Sequence, residues 1–365
     1  MATVHKETRL NRLRDKLQQN GLDTILISQP ENRFYLSGFS GSAGYLVISQ
    51  DHALIATDFR YFQQSERQAP DFQLVKMQGG KPLGWLLEAL SQTRPRRLGF
   101  EAEDVSFSFY TALKKALAGM PSDQRPRLMA TRNLVESLRI VKDPSEMEEI
   151  QRAAAMADGA LEKVVPGIEA GMTEKQVAWE LEKAMREQGA DAISFETIVA
   201  SGPNGALPHH RPGDRVIREG EPIVIDMGAR VNGYCSDITR TVVVGTPDEK
   251  LKKVYDTVLG AQLTAIATVQ SGMTGHDADG LARIVIDKAG YGDKFGHSLG
   301  HGIGLAVHES PIVGPRGSTT LEQDMVFTIE PGIYLPGWGG VRIEDMVVLE
   351  NDKARVITRT PKGLG

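Results

Sequence analysis

Apolar residues along the chain change their period several times, and each change marks an element. Residues 4–20 carry apolar positions at helical spacing that stops at Gly21. Short apolar runs at residues 24–28, 45–48, 53–56, 72–77 and 98–101 then read as strands separated by helical segments, the pattern of an α/β domain. Gly38-Phe39-Ser40-Gly41-Ser42-Ala43-Gly44 lacks both the spacing and the following helix that phosphate binding requires, so it reads as a loop between two strands. The pattern assigns residues 1–133 to this domain and residues 134–145 to a linker.

Beyond the linker the period becomes helical again. Asp143 can cap a helix that starts at Pro144, and Glu146 closes a capping box, so a helix should run to about residue 165. Gly171-Met172-Thr173 opens another helix, with Thr173 and Gln176 as its box, ending near Gly189. The arrangement returns 101 positions later, where Gly272-Met273-Thr274 opens a helix to Gly290 after one capped within Thr246-Pro247-Asp248-Glu249. A β-rich pair follows each set: residues 221–245 around Asn232-Gly233, and residues 325–334 with 340–349 around Leu335-Pro336-Gly337-Trp338-Gly339. Residues 146–365 therefore read as two helix-helix-hairpin halves, an internal duplication with a site between the halves.

The first hairpin fixes its own register. Asn-Gly is the strongest short-range turn signal. With Asn232 and Gly233 as turn residues, Val231 faces Tyr234, Asp226 faces Thr239, and Asp237 lies diagonally opposite Asp226 on the same face. Ile and Val runs flank these acids, and burying such a pair is costly without a cation between them; a solvated ribbon is the alternative. Glu330 and Glu344 occupy the second hairpin in comparable places, although its odd loop leaves their register open. If all four acids meet, two charges about 4 Å apart cost about 4 kcal/mol even at an effective dielectric of about 20. Two divalent cations balance the four charges.

Among the histidines, His301 stands between Gly300 and Gly302, where backbone can approach an ion closely. The glycines at 296, 300, 302 and 304 argue against a helix, so the spacing of His297 and His301 is not the helical zinc signature. Four carboxylates and one imidazole make a mostly hard donor set, suited to Mn, Fe or Co better than a thiolate-rich zinc site. Paired ions of this kind lower the pKa of a shared water and polarise a carbonyl under attack, which implies hydrolysis. His209 and His210, in Leu207-Pro208-His209-His210, and His308 also sit among unusual neighbours, whereas His5, His52 and His276 have no such company.

Bulk properties narrow the remaining classes. A chain of 365 residues exceeds the usual size of one core, so two domains are expected, and 41% hydrophobic with 24% charged residues is an ordinary globular composition. A net charge of -5 without a Lys or Arg run excludes a nucleic-acid partner. The N-terminus is polar and no window approaches about 18 uninterrupted apolar residues, so no membrane association and a cytoplasmic location are expected. Cys235 is the single cysteine; it excludes an intrachain disulfide and reads as a small buried side chain, not a catalytic thiol.

The ordered set Asp226, Asp237, His301, Glu330, Glu344, with His-Gly-Ile-Gly, Val-His-Glu, Thr-Ile-Glu-Pro-Gly-Ile-Tyr and Gly-Val-Arg-Ile-Glu-Asp around it, resembles the Xaa-Pro peptidases, prolidase and aminopeptidase P, of the pita-bread metallopeptidases. The resemblance covers residues 146–365, and residues 1–133 resemble the family's creatinase-like N-terminal domain. It implies an α/β N-terminal domain, an α+β pita-bread catalytic domain with pseudo-two-fold duplication, and a homodimer. It also implies two divalent ions, manganese first with cobalt or zinc as alternatives. Asp226 would chelate one ion, Asp237 and Glu344 would contact both, and His301 and Glu330 would complete the other. Glu330 would also move the proton from water to the leaving proline nitrogen. His209 and His308 match the histidines that face the substrate carbonyl and the tetrahedral intermediate. Arg342 matches a position that pairs with a substrate carboxylate or buttresses the site.

Proline supplies the physical reason for such an enzyme, since its nitrogen has no N–H and its ring clashes with a protease that grips an extended strand. The substrate's free α-amine would lie near the acidic centre, where Asp226 could accept it. Methionine aminopeptidases share the five ligands but fit less well, because they generally lack the N-terminal domain and the Glu-Pro-Gly-Ile-Tyr context. Two other readings are a creatinase-like hydrolase that cuts a non-peptide carbon-nitrogen bond without metal, which the intact ligand set opposes, and a non-catalytic module that holds peptide in the cleft.

Overall fold

The computed structural model describes residues 2–79 and 82–364, with side chains from Thr8 onward. The chain divides into two compact units, Met1–Arg139 and Ile140–Gly365.

In the first unit the strands are β1 (Thr24–Ile27), β2 (Tyr45–Ser49), β3 (Ala53–Thr57), β4 (Gln73–Lys76), β5 (Arg97–Glu101) and β6 (Arg127–Thr131). Among the described residues they form one six-stranded sheet in the order β4-β3-β2-β1-β5-β6. β1 runs antiparallel to β2 and parallel to β5. It is buried along its length, as expected of a central strand with both faces covered. The glycine loop joins the helix Pro30–Ser37 to β2, so it is a helix-to-strand connection and not the strand-to-strand loop expected. Gly38 ends the helix at φ 77°, and the Arg33 guanidinium bonds the Gly41 and Gly44 carbonyls at 2.7 Å each.

The expected linker is not a free connector. Leu134, Val135 and Leu138 are buried, the short helix Glu136–Arg139 belongs to the first unit, and Arg139 donates to Asn32 Oδ1 at 2.8 Å. Apolar residues at helical spacing pull this segment into the first core, which moves the boundary to Arg139 and Ile140.

The second unit repeats one plan. Pro144–Val164 is capped by Asp143 with Glu146 completing the box, and packs on Glu174–Glu187, capped by Thr173 and Gln176. In the second half Glu249–Thr268, capped by Asp248, packs on Gly275–Lys288, capped by Thr274 and Asp277. Leu161, Leu181 and Ile225 lie in the first half's core, and Val258, Phe327 and Val347 in the second's.

Strands Ile198–Ser201, Pro222–Met227 and Ile238–Val243 form one sheet of the first half, and Ala192–Ile193, Ala229–Val231 and Tyr234–Cys235 form another. The second half has strands Glu309–Val313, Gly300–Gly302, Val326–Ile329, Asp345–Glu350 and Lys353–Val356, with the ribbon Gly332–Leu335 and Gly339–Arg342 beside them. The Asn-Gly turn behaves as expected, with φ of 47° at Asn232 and 87° at Gly233, Val231 opposite Tyr234, and Asp226 opposite Thr239. The halves meet along Ile238–Val243. There Glu344 N donates to Thr239 O at 3.1 Å, while Thr241 Oγ1 accepts from Arg342 N at 3.1 Å and donates to Arg342 O at 2.9 Å. Among the described residues no helix is long and apolar enough to cross a membrane.

Candidate metal centre

The acids stand where the strands begin, end or break. Asp226 lies within Pro222–Met227 and Asp237 immediately precedes Ile238–Val243. Glu330 follows Val326–Ile329 and Glu344 precedes Asp345–Glu350. Ile329 pairs with Asp345 and Gly332 with Arg342, so one register runs through the break and sets Glu330 opposite Glu344. His301 is the middle residue of Gly300–Gly302. Only glycine fits on either side of it: a Cβ at Gly300 would lie 1.9 Å from Thr328 O, and one at Gly302 would lie 2.1 Å from Ser310 O. The strand is wedged between neighbouring backbones, and the imidazole emerges between the acids.

His301 Nδ1 lies 3.1 Å from the Gly302 carbonyl, which leaves Nε2 facing Glu330 Oε1 at 3.4 Å and Asp237 Oδ2 at 3.6 Å. Ligand atoms of Asp237, His301 and Glu344 all lie within 4.8 Å of one another. Thr328 Oγ1 accepts from His301 N at 3.1 Å and donates to Glu330 Oε1 at 3.2 Å, tying the two together. Thr239 Oγ1 donates to Glu344 Oε2 at 2.7 Å. Asp226 is held by Arg342 Nη2 at 2.5 Å.

This arrangement fits a divalent cation. Asp226 Oδ1 and Glu344 Oε1 are buried without a hydrogen-bond partner. A buried acceptor left unpaired is costly, and a cation is the group that four converging acids lack. Burial, followed by the charges of Glu344 and Asp226, raises the Asp237 pKa well above its ordinary value. Burial raises Glu330 and Glu344 as well, reinforced by repulsion from neighbouring acids. Burial, with His308 next to it, lowers His301 to about 4, so the ring is a neutral donor at pH 7.

Arg342, only 3% exposed, spans the wall of the site. Besides Asp226 it bonds Tyr334 OH at 2.9 Å and Thr239 Oγ1 at 3.2 Å, which is a buttressing arrangement. Burial opposes its charge, but Tyr334, Asp226 and Glu330 outweigh burial and raise its pKa. Tyr334 OH also lies 2.8 Å from His297 Nε2, and burial pushes the phenol up to about 12. His308 is exposed, its ring centroid 4.2 Å from that of His301. His209 is exposed, and its charge, after desolvation and Asp226, is among those acting on His308.

Several residues that complete the site were not singled out by pattern. Tyr334 lay inside a motif whose acid drew the attention, and nothing local signals its bonds to His297 and Arg342. Asp345, next in sequence to Glu344, belongs to a buried network with Arg240 at 2.8 Å, Lys362 at 2.5 Å, Thr358 at 2.8 Å and Gln262 at 2.8 Å. Arg240 also donates to the Glu344 carbonyl at 2.5 Å, so this network supports the backbone of a site acid. His297 is held from behind, since Arg283 donates to its carbonyl at 2.9 Å while pairing with Asp279 at 2.7 Å.

Comparison with known proteins gives the relatives of both units. The sequence profile of metallopeptidase family M24 matches residues 148–351, and that of the creatinase/prolidase N-terminal domain matches residues 9–141. The chain is 37% identical over 357 residues to an Xaa-Pro dipeptidase of Pyrococcus furiosus, spanning 98% of this chain and 99% of that one. An Xaa-Pro dipeptidase structure from Bacillus anthracis matches with a TM-score of 0.94 at 42% identity, covering 98% of this chain and 99% of the other. An X-Pro aminopeptidase structure from Thermotoga maritima matches with a TM-score of 0.88 at 38% identity, covering 97% and 98%.

Proposed function

The chain belongs to metallopeptidase family M24, and from that premise we propose that it hydrolyses the peptide bond between an N-terminal residue and a following proline, with Xaa-Pro dipeptides as its first substrates. The observation that carries this reading is the convergence of Asp237, Glu330 and Glu344 on the neutral imidazole of His301, with unpartnered oxygens on Glu344 and Asp226. The relatives named Xaa-Pro dipeptidase support the substrate class.

Asp226, Asp237, His301, Glu330 and Glu344 would hold two divalent ions, manganese first. Such ions, when bound, supply the charge that acidifies a water and polarises the scissile carbonyl. The remaining work falls to the chain's own groups. Glu330 takes a proton from the attacking water at its carboxylate and delivers it to the proline nitrogen, a task open to a carboxylate whose Oε1 faces the centre 3.4 Å from His301 Nε2. His308, kept neutral by desolvation, and His209 present ring N–H groups to the oxygen on which negative charge develops. Arg342 keeps Asp226 oriented and leaves Tyr334 OH facing His297.

The 38% identical X-Pro aminopeptidase favours a second reading, in which longer peptides with proline second are cut. Release of the first residue from Ala-Pro, Ala-Pro-Ala and Ala-Ala-Ala with added manganese separates the two. Cleavage of Ala-Pro alone supports the dipeptidase, cleavage of Ala-Pro-Ala alone replaces it with the aminopeptidase, and equal cleavage of Ala-Ala-Ala removes the proline specificity.

A further inference from the structure

One buried carboxylate outside the five site ligands gathers an unusual set of donors. Glu174 is the first residue of the helix Glu174–Glu187 and is fully buried, at 0% exposure. Its Oε1 accepts from Ser201 N and Ser201 Oγ, both at 2.8 Å, and from Asn204 Nδ2 at 3.0 Å. Its Oε2 accepts from Gly213 N at 3.1 Å and lies 2.8 Å from His210 Nε2. Burial alone would raise the pKa of this carboxyl, yet the donors from Ser201, His210 and Asn204 outweigh burial and lower it, so the group stays ionised.

These donors come from both ends and the middle of the segment 201–213, which carries His209. A single carboxylate thus closes the loop on itself. The loop's other side is pressed against the strand Gly339–Arg342: a Cβ on Gly205 would lie 2.9 Å from Gly340 N, and one on Gly340 would lie 2.0 Å from Gly205 O. Clamped by Glu174 on one side and by the strand that carries Arg342 on the other, the segment has little freedom. Helix capping alone does not account for Glu174, because Thr173 and Gln176 already form that helix's capping box.

We propose that Glu174 is a positioning residue: by clamping segment 201–213 it sets where His209 stands beside the metal centre, and it acts on turnover through His209. The role given to His209 rests on the peptidase reading above; the clamp itself does not. A group whose position matters to the transition state loses up to about 10²-fold in rate when displaced by about 1 Å. Such a loss should fall on kcat and leave bound metal untouched, because the loop contributes none of the five ligands.

The test is a double-mutant cycle with an exchange measurement beside it. With Ala-Pro and saturating manganese, Glu174→Gln is expected to lower kcat about 10²-fold with metal content unchanged. In the His209→Ala background the same change is expected to lower kcat less than about 3-fold, since the group it positions is gone. A Glu174→Gln enzyme within about 3-fold of wild type, or losses that multiply in the double variant, overturns the proposal. Should Glu174→Gln fail to fold, Asn204→Ala removes one donor while keeping the carboxylate, and about a 10-fold loss that vanishes with His209→Ala is expected. Hydrogen exchange at Ser201 and Gly213 should quicken in Glu174→Gln, and unchanged exchange sinks the clamp whatever the activity. A wild-type protein that cleaves none of the peptides overturns the peptidase reading and the role through His209, while exchange still decides the clamp.

Discussion

The two hairpins of the second unit carry the same cargo, two acids each, on differently built scaffolds. The first turns through two residues, Asn232-Gly233, both at positive φ, and is interrupted at Gly228 and at Ser236-Asp237, so Asp226 lies inside Pro222–Met227 while Asp237 lies in a break before Ile238–Val243. The second is broken at its acids, with Val326–Ile329 and Gly332–Leu335 on either side of Glu330, and Gly339–Arg342 and Asp345–Glu350 on either side of Glu344. Asp226, paired with Ile198 on one side and Thr239 on the other, has its backbone taken up by the sheet and meets the site by side chain alone. A broken strand frees backbone for other partners. Glu330 N donates to Leu299 O at 2.8 Å, and Glu344 N to Thr239 O at 3.1 Å. Asp237, in the first hairpin's own break, likewise sends its N–H to Met346 Sδ at 3.3 Å, so breaks serve three of the four acids, and the second hairpin, broken at both of its acids, holds them against His301 and against the first half.

If this contrast is right, the second hairpin carries the proton chemistry and the largest effect belongs there. Glu330→Gln is expected to lower kcat about 10³-fold, measured on Ala-Pro with manganese. Full activity in that variant would end the distinction between the hairpins. His308→Ala, next to His301 but outside the four acids and imidazole, is expected to cost about 10²-fold in kcat with metal retained, as loss of one donor to developing charge does. A variant that loses its metal instead would make His308 a ligand.

A third effect concerns stability of the metal-free protein. Asp237, Glu330 and Glu344 bind protons more tightly in the folded chain than in the unfolded one, because burial raises their pKa values. Stability from these groups is greatest near the ordinary Glu value of 4.5 and below it, and is lost as pH rises toward the raised values. The unfolding temperature of metal-free protein should fall from about pH 5 to about pH 8, and added manganese should raise it more at the upper end. A profile flat in pH, or a manganese effect equal at both ends, would mean the acids are not buried together.

The smallest effect tests the first hairpin's turn. Gly233→Ala forces an alanine to φ near 87° and should cost about 1 kcal/mol in denaturant unfolding while leaving kcat unchanged. An equal loss in kcat would mean that the turn, and not only the strands, sets the site.

The same contrast explains what could be read from the chain. The first hairpin's register was legible because Asn-Gly dictates a turn of known length, and the pairing of Asp226 with Thr239 followed by counting. The second was not, since its three-residue loop Pro336-Gly337-Trp338, between the paired Leu335 and Gly339, is not a turn whose length the sequence dictates. Capping boxes at Asp143 and Thr173 announced their helices because both partners are local. β6 was missed because it is a half-exposed edge strand of sequence Arg-Leu-Met-Ala-Thr, without a buried face to impose alternation. The bond from Thr239 to Glu344 spans 105 positions and that from Ser201 to Glu174 spans 27, and no local pattern encodes either. Tyr334 differs, being only 8 positions from Arg342, but a lone tyrosine on an apolar ribbon looks like any core residue.

The central claim is that four carboxylates and one imidazole, drawn from both hairpins and the His301 strand, form one divalent-metal centre. Metal content after equilibration with manganese and gel filtration tests it most directly. We expect two manganese ions per chain in the wild type and a marked loss in Asp237→Asn. Fewer than one ion per chain in the wild type, or an Asp237→Asn variant that retains both, would contradict it.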